Sequence, residues 1–300
     1  MTATAHASSG QHRPLDLLRE VLASSRPLSW VNTAYPFAAA YVLVTGGVDT
    51  VLVVGALWFL VPYNLLMYGV NDVFDYESDL RNPRKGGVEG VVLDRSVHRL
   101  TITLAVVGNL PFVGYLLVVG DAVSALVLAV SVFAVVAYSA PVLRFKERPF
   151  LDSLTSSTHF VSPAVLGLAL AHAPVTTGTV AAVLGFFLWG VGSHSFGAVQ
   201  DIEADRAGGI GSVGTVLGAA STVRFAALAY VAGGVALTLC GWPAALAALL
   251  VLPYVVNVAP YLRITDATCE RAHDGWRRFL WLNYVTGFLL TQLLIWIALR

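Results

Sequence analysis

Charge is what this chain has least of. Only 12% of its 300 residues are Asp, Glu, Lys or Arg, too few to clothe a water-soluble domain of that length. Cysteine is almost absent: Cys240 closes an apolar run and Cys269 lies in a polar loop, a spacing that suggests neither a disulfide nor a zinc site. The first 27 residues lack the basic start and apolar core of a cleavable signal peptide, so the chain is expected to insert through its own spans. No soluble insert, linker or low-complexity tract interrupts the rest, which favours one helical bundle. The totals of Lys plus Arg and of Asp plus Glu are both 18, and no nucleic-acid partner is expected.

What the chain has is hydrophobic length. It is 57% hydrophobic, with a mean hydropathy of +0.73. Apolar runs of roughly 17 to 25 residues, enough to cross a bilayer core as helices, recur along almost all of it. Nine are expected, near 28–46, 51–70, 100–119, 122–140, 151–171, 179–198, 216–240, 242–262 and 279–298. With nine spans and a cytoplasmic N-terminus, every Lys and Arg except Arg300 falls on one face, as the positive-inside rule requires; eight or ten spans would break this pattern. The reading is therefore an all-α integral membrane protein: a cytoplasmic segment over 1–27, then a nine-helix domain over 28–300 with the C-terminus opposite. Leu15, Leu18, Val21 and Leu22 form a stripe suited to the membrane surface, or else belong to a loose tail.

The chemistry is expected on the charged face, where the loops after spans two, four, six and eight are long. Span two ends in Asn71-Asp72-Val-Phe-Asp75-Tyr-Glu-Ser-Asp79, the pattern NDxxDxxxD. On a helix turning 100° per residue, its three aspartates lie within about 60° of one another. Span six ends with Asp201 and Asp205, about 40° apart on a second acidic stripe. The two clusters begin 129 positions apart, at 72 and 201, a spacing that two related halves would give. Clustered carboxylates at a membrane boundary repel one another unless cations neutralise them. Magnesium suits them, because it prefers oxygen ligands and binds through one or two carboxylates plus substrate phosphates. Solvated loop ends and helix caps are the alternative for either cluster alone; two at equivalent positions argue for a site.

Span four ends on the same face in Tyr138-Ser-Ala-Pro-Val-Leu-Arg144-Phe-Lys146. Arg144 and Lys146 are candidate clamps for a diphosphate, with Tyr138 a hydrogen-bond donor to it. Arg81 and Lys85, beside Arg84, Gly86 and Gly87, supply a flexible basic segment able to close over phosphates. Deeper in the spans, Asn64, Tyr68, His194 and Gly197 are expected to line a cavity, His194 being the candidate for a role near the reacting carbon. Interhelical hydrogen bonding is the alternative for the polar members of that set. An ion-coupled transporter would carry its acids near the bilayer midplane, whereas both clusters here lie at one boundary.

A polytopic chain with NDxxDxxxD after span two and DxxxD after span six resembles the UbiA-type intramembrane prenyltransferase superfamily over nearly its whole length. The resemblance implies nine helices around a central cavity open sideways to lipid. It also implies that Asn71, Asp72, Asp75 and Asp79, with Asp201 and Asp205, bind an isoprenyl diphosphate through Mg2+. Two shorter stretches, Ser25 to Phe37 and Asn82 to Gly90, are most similar to bacterial lycopene elongases. That similarity implies dimethylallyl diphosphate as donor and a hydrophobic polyene acceptor, lycopene or its one-end-extended product. Some such enzymes are also described as hydratases, because water rather than proton loss quenches the final cation. Transfer to an aromatic or quinone-precursor acceptor is the alternative; a carboxylated ring would call for a cationic contact that the spans do not offer.

Overall fold

A computed structural model describes residues 14–80 and 92–300, with only the backbone considered for Pro14, Ser78 and Asp79. Among the described residues the structure is helical and contains no strand. The main helices are α1 (Pro14–Ser24), α2 (Val31–Thr45), α3 (Thr50–Phe74), α4 (Arg95–Val119), α5 (Ala122–Ser139), α6 (Leu151–Leu170), α7 (Thr177–Val199), α8 (Ala219–Cys240), α9 (Ala244–Tyr261) and α10 (Asp266–Ala298). Several starts are written locally. Asp94 and Asp121 cap α4 and α5, and Thr176 caps α7, each accepting a backbone N–H of the first turn.

All nine expected runs are helical, but among the described residues only seven helices are both long and apolar enough to cross a membrane by length and composition. The exceptions are α2 and α6. The first has 15 residues, about 22 Å of rise. The second has 20 but carries Asp152, Ser153, Thr155, Ser157, His159 and Ser162, all buried. A helix that hides its polar side chains is an interior helix, and the exposed faces of the bundle bear Leu126, Phe133, Leu228, Trp281 and Phe288 instead. This inverts the distribution of a soluble protein and suits a lipid surround.

Two apolar clusters build the bundle. One joins α1 to α5 and the far end of α6 around Phe37, Trp58, Phe59, Tyr63 and Leu166; the other joins α7 to α10 around Phe196, Tyr230, Tyr254 and Phe279. Polar contacts between α6 and α7 link them: Ser153 Oγ lies 3.1 Å from Ser195 Oγ, and Ser157 Oγ donates to Phe187 O at 2.7 Å. The first and last long helices meet where Tyr35 Oη and Thr291 Oγ1 share a 2.7 Å hydrogen bond. In the N-terminal segment, α1 is helical; Leu17 and Val21 pack into the first cluster while Leu15, Leu18 and Leu22 stay exposed.

The course of α3 sets the site. Pro62 has no N–H to give, so the preceding carbonyls need other donors. Thr33 Oγ1 and Asn64 Nδ2 each donate to Phe59 O at 2.7 Å, and Asn64 Nδ2 also reaches Leu60 O at 3.0 Å. The helix then widens into a π turn over Leu65–Gly69 before resuming at Val70–Phe74. A π turn carries an extra residue and rotates the helix beyond it, so it sets the direction in which Asn71, Asp72 and Asp75 leave the bundle.

Candidate active site

Among the described residues, three cations surround the first acidic motif. Asp72 is buried and takes a 3.2 Å ion pair from Arg26 Nη2, whose guanidinium also lies 4.3 Å from the centre of the Tyr68 ring. Asp75 is contacted by Lys146 Nζ and, at 3.4 Å, by Arg144 Nη2. Lys146 also donates to Asn71 Oδ1 at 3.2 Å, which accepts from Ser139 Oγ at 2.8 Å. The residues expected to clamp a diphosphate therefore stand directly on the acids of the motif.

Backbone geometry brings those cations in. After α5, Pro141 ends the helical run, and Val142 and Arg144 both adopt positive φ (77° and 38°), uncommon for side chains other than glycine. Val142 O is held by Arg148 Nη2 at 2.9 Å. Glu147 pairs with Arg144 and raises its basicity, while Arg144 holds the Glu147 carboxyl below the usual range. Lys146 is shifted the other way: burial lowers its affinity for a proton, and Asp75 only partly offsets this.

The second motif sits on the turn that ends α7 and the short helix Ile202–Ala207. Asp205 Oδ2 accepts from Ser212 Oγ at 3.4 Å, and the next residue, Val213, donates its N–H to Asp152 Oδ2 at 2.8 Å. Asp152 is fully buried, accepts a second backbone N–H from Ser153 at 2.8 Å, and stands 3.9 Å from His194 Nε2. His159 packs edge-on against Tyr138 with ring centres 5.1 Å apart. The second motif is thus tied through Ser212, Val213 and Asp152 to the polar interior of α6 and α7.

Tyr68, Tyr138 and His194 are each partly accessible, 23% in the case of the His194 side chain. One expected cavity residue is placed elsewhere. Asn64 is fully buried and bonded to Thr33 and to the backbone around Pro62, so it mends the break in α3 and lines no cavity. Gly197 keeps part of its surface accessible, and an added Cβ there would come within 3.0 Å of the Trp276 ring on α10. Arg81 and Lys85, with Arg84, Gly86 and Gly87, lie outside the described residues, as does the side chain of Asp79.

The donor set suits magnesium. The acids and Asn71 offer oxygen alone, and among the described residues no three Asp, Glu, His or Cys side chains converge to hold an ion by themselves. Magnesium bound through one or two carboxylates with substrate phosphate completing its shell needs no such cage.

Three participants escaped the sequence reading: Arg26, Asp152 and Glu147. Asp152 carried a usable signal, a carboxylate within an apolar run. Arg26 resembled a topology-setting charge, and nothing local marks it as a partner of a residue 46 positions away.

Residues 33–284 match the UbiA prenyltransferase family. The chain belongs to that family. It is accordingly a multi-pass membrane prenyltransferase. It is 57% identical over 284 residues to a C(50) beta-cyclic carotenoids biosynthesis protein of Dietzia sp., a match covering 94% of this chain and 66% of that longer protein. It is 49% identical over 281 residues to a lycopene elongase/hydratase of Corynebacterium glutamicum, covering 94% and 98%. In fold it is similar to a UbiA homolog from Archaeoglobus fulgidus bound to DMAPP and Mg2+, with TM-score 0.66 and 16% identity over 89% of this chain and 98% of that one. The same homolog bound to GPP and Mg2+ gives a TM-score of 0.67 at 16% identity, covering 89% and 99%.

Proposed function

We propose that this UbiA-family enzyme transfers a dimethylallyl group from its diphosphate to lycopene or to the one-end-extended product. The observation that carries the reading is the interleaving of Arg26, Arg144 and Lys146 with Asn71, Asp72 and Asp75. A free diphosphate would be repelled by the acids and attracted by the cations; the two sets together fit a diphosphate that arrives with a divalent ion. Asp72, Asp75, Asp201 and Asp205, with Asp79, would hold Mg2+, which when bound neutralises charge on the leaving diphosphate. Arg144 and Lys146 can turn from Asp75 to the leaving oxygens and stabilise the charge that grows there as the allylic carbon–oxygen bond breaks. Tyr138 and Tyr68, both partly accessible, would offer π density to an allylic cation formed beside them. The relatives named for C(50) carotenoid biosynthesis and for lycopene elongation support a polyene acceptor. The acidic mouth is assigned to the cytoplasmic side, where the basic loops lie.

In membranes supplied with magnesium, labelled dimethylallyl diphosphate and lycopene, Asp72→Ala and Asp201→Ala are expected to lose prenyl transfer while the protein remains inserted. Near-normal turnover in both would reject the site. Expression in a lycopene-producing host is expected to yield longer carotenoids. Unchanged lycopene alongside prenylated quinone precursors would reject the acceptor and retain the enzyme class.

A further inference from the structure

Joining a dimethylallyl group to an acceptor double bond leaves a problem that the diphosphate site does not solve. The allylic carbon–oxygen bond breaks with its electron pair on the diphosphate, and the acceptor π pair forms the new carbon–carbon bond. A tertiary cation remains on the acceptor. To end the reaction, a neighbouring C–H pair must become a double bond, or a water lone pair must form a carbon–oxygen bond. Either route releases a proton, which needs an acceptor near the reacting carbon.

His194 is placed to receive it. Seven residues before Asp201 on α7, it lies roughly 10 Å further along the helix than the acidic motif, with 23% of its side chain accessible. Its Nε2 faces Asp152 Oδ2 at 3.9 Å, beyond a direct hydrogen bond but within ion-pair range, leaving Nδ1 for the proton. Asp152 cannot swing away, because the Ser153 and Val213 backbone N–H groups fix its two oxygens at 2.8 Å each. The other titratable groups nearby are poor acceptors by position. His159 is buried and covered by the Tyr138 ring, and on α8 the Tyr230 hydroxyl is committed to Ser193 at 3.1 Å.

We propose that His194 takes the proton that terminates the reaction, whether from the acceptor carbon or from the water that adds to it. Asp152 is its positioning residue, holding the imidazole and stabilising the imidazolium. The arrangement also couples termination to the diphosphate site, since Val213, which fixes Asp152, is the immediate neighbour of the Ser212 that bonds Asp205. This inference rests on the acceptor reading given above.

The test is steady-state assay of the full-length enzyme in membranes with lycopene and dimethylallyl diphosphate, following carotenoid products and donor KM across pH. The wild type is expected to show kcat falling towards acid pH as His194 becomes protonated before it can act. His194→Gln is expected to lower kcat about 100-fold at neutral pH, to flatten that acid limb, and to leave donor KM within two-fold. Asp152→Asn is expected to move the limb to lower pH, and Asp152→Glu to restore it in part. The proposal is overturned if His194→Gln keeps both the wild-type kcat and the acid limb, in which case another base such as the departing diphosphate takes the proton. A wild-type kcat with no acid limb overturns it without any variant. If the wild type makes no elongated carotenoid at all, the acceptor reading has failed instead.

Discussion

Arg26 and Asp72 are 46 positions apart and meet at 3.2 Å. Asp72 is buried at the end of α3, and Arg26 comes from the turn between α1 and α2, at a positive φ of 52°. Burying a carboxylate is costly without a countercharge, so this cation stabilises the acid until substrate arrives. Arg26→Met is expected to lower stability by roughly 3 kcal/mol. Adding Asp72→Asn is expected to recover most of that loss in thermal unfolding of the purified protein. Losses that simply add would show that the pair is energetically silent.

Lys146 touches both Asn71 and Asp75. Lys146→Met is expected to reduce kcat/KM for the donor by about 10- to 100-fold, roughly 1.4 to 2.7 kcal/mol of transition-state stabilisation. Measurement at saturating acceptor separates this from any effect on the polyene; an unchanged value would leave Asp75 neutralisation as the only role of the lysine.

Glu147 competes for Arg144. Because its carboxyl is held below the usual range by the guanidinium, the pair's contribution to stability is complete above the ordinary carboxylate range. It is lost as pH falls through the depressed value. Glu147→Gln is expected to remove that part of the acid dependence and to release Arg144 towards the diphosphate. Donor KM should fall two- to five-fold, about 0.4 to 1 kcal/mol; a rise in KM would mean that Glu147 aims the arginine.

The seam between α6 and α7 depends on a missing methyl group. A Cβ at Gly190 would lie 2.3 Å from Ser157 Oγ and 3.0 Å from Ser157 Cβ. Gly190→Ala is expected to cost about 1 to 3 kcal/mol, partly recovered by Ser157→Ala. Gly287→Ala on α10, with nothing within 4 Å, is the control and should be neutral or slightly stabilising.

Membrane architecture was legible because hydrocarbon demands long apolar helices, and length and composition report that demand without tertiary information. The pairing of Asn71 and Asp75 with Arg144 and Lys146 was foreshadowed by their common position at span ends. Asn64 was misread for a related reason. A polar residue one heptad before a motif marks the same helical stripe only if the helix is regular, and Pro62 with the π turn at Leu65–Gly69 makes it irregular.

The sequence by itself determined that the chain lives in a membrane, that its motif acids lie at the ends of apolar runs, and which superfamily its motifs resemble. These properties are local: each is written in one run or one short pattern. Only the tertiary structure decided that Arg26 covers Asp72, that Asp152 faces His194, and that Asn64 is spent on a helix break. Such pairings depend on how separate helices pack and where an α-helix changes pitch, and side-chain contact across a bundle leaves no periodic trace along the chain.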